Sequence, residues 1–200
     1  MSAEKHNYRL IIAGLFLWIN LTLGLNVGVI SPIIPLIVKD YGINMGEAGL
    51  LVSVVLIVQA VLSIPTGFLI RRTSATRIYG IGCILSTILI LSPLINGFYW
   101  LLVLRGVFGI SVTLIWPSMA PMLKGWFGAR ELPVMVSLTL AVFAVGAGIG
   151  IIVAVPISKL FGWQLMLGVV AIPLLVGSIV WLVAEKPPST TIDYVTNINW

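Results

Sequence analysis

Long uncharged apolar runs alternate along this chain with short clusters of charge and turn residues. The runs fall at about residues 10–30, 48–70, 78–95, 98–123, 132–157 and 163–184. Each approaches or exceeds the ~20 apolar residues that a helix needs to cross the hydrocarbon of a bilayer. A spanning segment must satisfy its backbone polar groups internally, so only helices and closed barrels cross lipid. These runs are too long and too continuously apolar for barrel strands, which alternate lipid-facing and lumen-facing residues. The pattern predicts an all-α, polytopic membrane helical bundle of six transmembrane helices over residues 1–185, with residues 186–200 as a cytoplasmic tail or the start of a central loop.

Composition removes the soluble alternative. The chain is 60% hydrophobic and 8% charged with a mean hydropathy of +1.16, whereas soluble domains carry roughly 25% charged residues. The net charge of +5 does not indicate nucleic acid, because the basic residues form short clusters between apolar runs and no contiguous basic face. They read as topology instead. With a cytoplasmic N-terminus the inside set is Lys5, Arg9, Arg71, Arg72, Arg77, Lys124, Arg130 and Lys186, and the outside set is Lys39 and Lys159. This positive-inside bias puts both termini in the cytoplasm of a cell-membrane protein. The stretch after Arg9 lacks a small-residue cleavage pattern and reads as a retained first span.

An internal repeat appears when spans one to three are laid over spans four to six. The segment Val29-Ile-Ser-Pro-Ile-Ile-Pro35 is similar to Leu114-Ile-Trp-Pro-Ser-Met-Ala-Pro121, and each proline pair is expected to close its span. Ile64-Pro-Thr-Gly67 likewise matches Val155-Pro-Ile-Ser158. Pro32 and Pro117 are 85 residues apart, and Pro65 and Pro156 are 91 apart. Because span one runs outward and span four inward, the expectation is a 3+3 inverted repeat.

Arg105 is the one ionised residue well inside a run. An arginine at a helix centre costs ~2.5 to 3.5 kcal/mol on insertion scales, so something must compensate it. At 100° per residue Arg105, Gly109, Val112, Thr113 and Trp116 share one face of span four. That face is expected to point into the bundle or a wet cavity, with Arg105 holding an anionic solute or hydrogen-bonding helix carbonyls. Asn20 lies on a polar stripe of span one. Gln59, Ser63, Thr66 and Gly67 align on span two, as pathway lining or interhelical glue. Span five offers the pairs Ala144/Gly148 and Gly146/Gly150 for close helix packing. Trp163, Trp100, Tyr99, Trp126 and Tyr41 fall near span ends, where aromatic rings anchor to the membrane interface.

The chemistry that is missing also narrows function. His6 is the sole histidine, Cys83 the sole cysteine, and no Asp or Glu lies inside a predicted span. No metal-ligand set, disulfide framework or catalytic acid/base pair can be assembled, and no cofactor is called for. A membrane-embedded enzyme is therefore the weakest class.

The segment Arg105 to Gly109 resembles the Arg-x-x-x-Gly signature on the fourth helix of major facilitator superfamily transporters. Between spans two and three, Gly67-Phe-Leu69-Ile-Arg71-Arg72-Thr-Ser74-Ala-Thr76-Arg77 is similar to that family's loop motif, with Arg71 where the family usually has Asp. Gly146 to Gly150 looks like its antiporter signature, but Ile151 stands in place of proline. Phe161-Gly162-Trp163-Gln164 resembles the Phe-Gly-Trp-Arg that often opens its sixth helix. The resemblance covers residues 8–185 and implies the N-terminal half of a twelve-helix permease, moving a small polar or anionic solute by alternating access. It implies that Arg105, Asn20, Gln59, Trp116 and Thr113 line the pathway. It also implies that Gly67, Leu69, Arg71, Arg72 and Arg77 form a gating loop, and that Gly109, Gly146 and Gly150 pack helices. A second half would come from further sequence or from a second copy. The alternative is a non-transporting six-helix receptor or assembly subunit.

Overall fold

The computed structural model describes residues 3–184, and the predicted tail with Lys186 lies outside the described residues. Every regular element among the described residues is helical. The helices are α1 (Ala3–Gly28), α2 (Ile30–Tyr41), α3 (Met45–Arg72), α4 (Ala75–Ser86), α5 (Phe98–Lys124), α6 (Leu132–Phe161) and α7 (Trp163–Ala184), with a 3₁₀ helix at Thr87–Leu94 between α4 and α5. Among the described residues six stretches are long and apolar enough to cross a membrane: α1 with α2, then α3, then α4 with the 3₁₀ helix, then α5, α6 and α7.

The first span corrects the sequence expectation. It extends from Arg9 to Tyr41 rather than ending near Ile30. Pro32 and Pro35 do not close it. The helix is interrupted only at Val29, whose amide still donates to the Leu25 carbonyl at 3.1 Å. The new helix starts at Ile30, so Pro32 sits in a first turn, where its missing N–H has no partner to lose. Pro117 and Pro121 likewise lie inside α5, since membrane helices tolerate proline when neighbours re-satisfy the freed carbonyls. The longer first span also brings Asp40 into its last turn.

The third span ends in a 3₁₀ portion. It has 20 residues, which as an α-helix would just match the ~30 Å hydrocarbon thickness, and the rise of about 2.0 Å per 3₁₀ residue against 1.5 Å lengthens it by a few ångströms. The switch falls where Ser86 and Thr87 hydroxyls donate back to the Cys83 and Ile84 carbonyls, at 2.6 and 2.7 Å. Such back-bonding loosens an α-helical ladder.

Packing shows the repeat. α1 packs mainly on α6, and α5 on α3; α5 also packs on α4, and α1 on α7; α7 meets the third span directly. Exchanging spans one, two and three for four, five and six maps these contacts onto themselves, the 3+3 inverted repeat. The 85-residue offset between Pro32 and Pro117 also pairs Gly24 with Gly109 and Asn20 with Arg105. A Cβ on Gly24 would lie 2.1 Å from the Phe143 carbonyl oxygen of α6, and one on Gly109 would lie 3.1 Å from Val55 Cα of α3. The matched glycines therefore perform the same task, letting two backbones approach.

Between these crossings lies the main core. Phe16, Tyr79 and Trp181 bring α1, α4 and α7 together, with ring centroids 5.2 Å apart for Phe16–Tyr79 and 4.9 Å for Tyr79–Trp181. The outer faces of α3 and α6 stay exposed and apolar, at Leu56, Ile57, Val61 and Ile64 on one and Val145, Ile151 and Ile152 on the other.

Candidate functional site

Helix α5 carries Arg105 about two turns in from its start, surrounded by α3 and α4 on the packed side. The side chain is only 2% exposed. Among the described residues Nε and Nη2 have no hydrogen-bond partner. The guanidinium carbon lies 5.7 Å from the centre of the Phe108 ring, one turn along. That ring offers a cation–π contact of ~1 to 2 kcal/mol, less than the desolvation of a buried guanidinium. The expected alternative of a structural arginine bonded to helix carbonyls is not seen at these two nitrogens. What the arrangement offers is two buried N–H-bearing nitrogens with their hydrogen-bonding capacity unspent, suited to a carboxylate or other oxyanion.

The other residues of that face are quieter. Gly109 packs on α3. The Thr113 hydroxyl donates to the Gly109 carbonyl at 2.7 Å. Val112 is buried in the main core. Trp116 is half-buried, its ring meeting Phe143 of α6 edge-on with centroids 5.2 Å apart. Asn20, the repeat mate of Arg105, is buried and donates Nδ2 to the Phe16 carbonyl at 2.9 Å. Gln59 is half-buried and makes no hydrogen bond among the described residues. No hydrogen bond joins Arg105, Asn20, Gln59, Thr113 and Trp116 to one another, so the structure places them in one bundle without a bonded constellation.

The loop residues sit at the end of α3 and, for Arg77, in the first turn of α4. Gly67, Leu69, Arg71, Arg72 and Arg77 are all exposed, and the three arginines have no ion-pair partner among the described residues. Gly67 has open space where a side chain would be. On α6 the structure separates the two small-residue pairs. A Cβ on Gly146 or Gly150 would come within 2.0 or 2.5 Å of the Leu21 or Leu25 carbonyl oxygen of α1, whereas Gly148 meets nothing within 4 Å and Ala144 is exposed. Only Gly146/Gly150 is a packing pair, because Ala144 and Gly148 lie on a side of the helix that meets no neighbour among the described residues.

Three contacts escape the sequence because they join residues more than a hundred positions apart. Asn26 donates Nδ2 to the Val170 carbonyl of α7 at 3.2 Å as well as to the Thr22 carbonyl of its own helix. Arg9 pairs with Glu131, just before α6, and stacks on the Phe127 ring at 4.8 Å. That ion pair, with the Gly128 amide, holds the Glu131 carboxyl below its ordinary value. At the other end of the bundle, Asp40 Oδ2 accepts from Trp163 Nε1 at 3.1 Å and Gln164 Nε2 at 3.0 Å. The Tyr41 and Trp163 rings meet edge-on at 5.5 Å. Trp163 and Tyr41 are thus packed into the bundle end rather than free interface anchors, unlike Tyr99 and Trp100, which are widely exposed.

Comparison with known proteins agrees with this frame. A protein of Campylobacter jejuni, itself described as uncharacterized, is 26% identical over 155 residues, covering 77% of this chain and 48% of that protein. The chain therefore spans about half the length of the curated relative it matches. The family model of the Major Facilitator Superfamily matches residues 16–195, which take in most of the first span, the other five, Arg105 and the loop after α3. This chain is a multi-pass membrane protein, and it belongs to the Major Facilitator Superfamily.

Proposed function

We propose that this chain forms one half of a secondary-active permease that moves a small polar or anionic solute by alternating access, with α1 and α5 along the pathway and Arg105 as the solute's anchor. The observation that carries this reading is the buried guanidinium with two unpartnered nitrogens. A buried cation without a partner costs several kcal/mol and is kept where function uses it. The exposed apolar faces of α3 and α6 support packing against a second six-helix half, supplied by further sequence or by another copy of the chain.

On this reading both termini are cytoplasmic in the cell membrane, and the arginines after α3 face the cytoplasm. With Arg71 in the position where the family usually has a carboxylate, this loop works without that residue's ion pair. A titratable carboxylate for proton coupling would come from the other half.

The test is uptake into liposomes by the full-length transporter, screened with labelled small carboxylates, phosphate and neutral sugars. Arg105→Ala is expected to abolish uptake of the anionic solute while circular dichroism and thermal melting stay near those of the parent. Undiminished uptake by a folded Arg105→Ala protein would confine Arg105 to a structural role. Transport of neutral sugars alone would overturn the anionic assignment.

A further inference from the structure

One group of polar residues plays no part in the pathway just described, and it gathers at the bundle end opposite the N-terminus. The last turn of α2 supplies Lys39 and Asp40. The last turns of α6 supply Ser158, and Gly162, at φ +85°, turns the chain into α7, which opens with Trp163 and Gln164. Together with Leu36 these residues line a cleft of about 410 Å³, within the ~300 to 1,000 Å³ range of small-molecule sites.

Two features of the cleft are unspent. Ser158 is only 6% exposed, yet its hydroxyl has no hydrogen-bond partner among the described residues. Other buried hydroxyls on these helices, Ser118, Thr139 and Ser178 among them, bond back to a carbonyl of their own helix. A buried hydroxyl that forgoes that bond carries a cost of ~1 to 3 kcal/mol unless a ligand or water meets it. Asp40 is the second. Oδ2 is taken by Trp163 and Gln164, which fix the carboxylate at the start of α7, while Oδ1 accepts no bond among the described residues. Lys39 and Asp40 are both exposed and form no ion pair with each other, so the mouth of the cleft presents a cationic and an anionic group together.

We propose that this cleft binds the headgroup of a phospholipid carrying both an ammonium and a phosphate. The ammonium donates to Asp40 Oδ1; the phosphate oxygens accept from Lys39 and the Ser158 hydroxyl. A soluble phosphoethanolamine compound shares this polar chemistry. The flanks decide for the lipid: Leu160 and Phe161 are 77% and 65% exposed beside the cleft, and offer an apolar shoulder for acyl chains at the end of a membrane span. The site is separate from the Arg105 reading and stands or falls without it.

The experiment is native mass spectrometry of the purified protein in detergent, equilibrated with an equal mixture of phosphatidylethanolamine and phosphatidylglycerol. Retention of phosphatidylethanolamine is expected to exceed that of phosphatidylglycerol about fivefold, with the preference reduced to near unity in Asp40→Asn, while Ser158→Ala, which removes a donor to the phosphate that both lipids carry, lowers retention of both about threefold. The asparagine keeps an acceptor for Trp163 and Gln164, so the fold is held; should its melting fall sharply, Ser158→Ala decides alone. Equal retention of the two lipids, or undiminished retention of both in a folded Ser158→Ala protein, would overturn the proposal. Displacement of the lipid by equimolar glycerophosphoethanolamine would overturn it in favour of a soluble zwitterion.

Discussion

Spans one and four occupy matched places in the repeat, and their likeness stops short of their chemistry. Each crosses a neighbour through a glycine, Gly24 against α6 and Gly109 against α3, so the repeat preserves how backbones meet. Four residues earlier the two diverge. Asn20 finds its hydrogen bond on its own helix at the Phe16 carbonyl, whereas Arg105 leaves Nε and Nη2 without one. Packing is set by a shared geometry that tolerates little variation. A polar side chain at the same place can be swapped as long as its own hydrogen bonds are provided for, and of this matched pair Arg105 is the member for which they are not.

The largest effect should come from breaking the tighter crossing. Gly24→Ala places a Cβ 2.1 Å from a carbonyl oxygen, with no flexible side chain to yield, whereas Gly109→Ala meets Val55 at 3.1 Å. The first is expected to cost more than ~3 kcal/mol and the second about 1 kcal/mol. Thermal unfolding in detergent measures both, and equal losses would show that the crossings are equally loose.

Next comes the chemical divergence at the matched pair. Arg105→Met in the full-length transporter should reduce uptake to background while stability stays level or rises by about 1 to 3 kcal/mol, since an uncompensated buried charge is removed. Asn20→Leu removes a group already satisfied by its own helix and should lower uptake less. A stability loss in Arg105→Met as large as that of Gly24→Ala would mean that the guanidinium holds the bundle together.

A smaller difference separates Asn26 from Ser111, which the same 85-residue offset pairs. Asn26 reaches the Val170 carbonyl on another helix, whereas Ser111 bonds only to the Phe108 carbonyl of its own. Asn26→Leu should cost about 0.6 to 1 kcal/mol and Ser111→Ala close to nothing in the same melting assay. Reversed magnitudes would show that the interhelical bond is not the stabilising one.

The least effect belongs to the Arg9–Glu131 pair at the surface. Its folded-state pKa lies below the ordinary value of 4.5, so its stabilisation is fully present above that pH and disappears as pH falls through the depressed value. Glu131→Gln should therefore melt slightly below the parent at neutral pH and together with it in acid. A difference that persists unchanged into acid would show that the carboxylate charge is not its source.

How much of this was legible in the residues differs by kind. The six spans were readable because lipid demands long apolar runs whatever the neighbours do, and Gly146 and Gly150 were readable from their spacing. That Gly148 and Ala144 belong to the other face was not, because two small-residue pairs offset by two look equivalent until a partner helix chooses one. Arg105 stood out as a lone charge, but its lack of partners depends on what α3 and α4 place around it.

By itself the sequence determined the class of fold, the number of spans and the internal repeat, since each follows from solvent and period acting on contiguous residues. Only the tertiary structure decided that Pro32 sits in the first turn of a second helix instead of ending the span, because that depends on where the chain breaks at Val29. It alone decided that Asp40 meets Trp163 and Gln164, and that the Ser158 hydroxyl beside them goes without a partner. Those are contacts and absences between distant segments, and their cost or benefit arises only when packing removes water from around them.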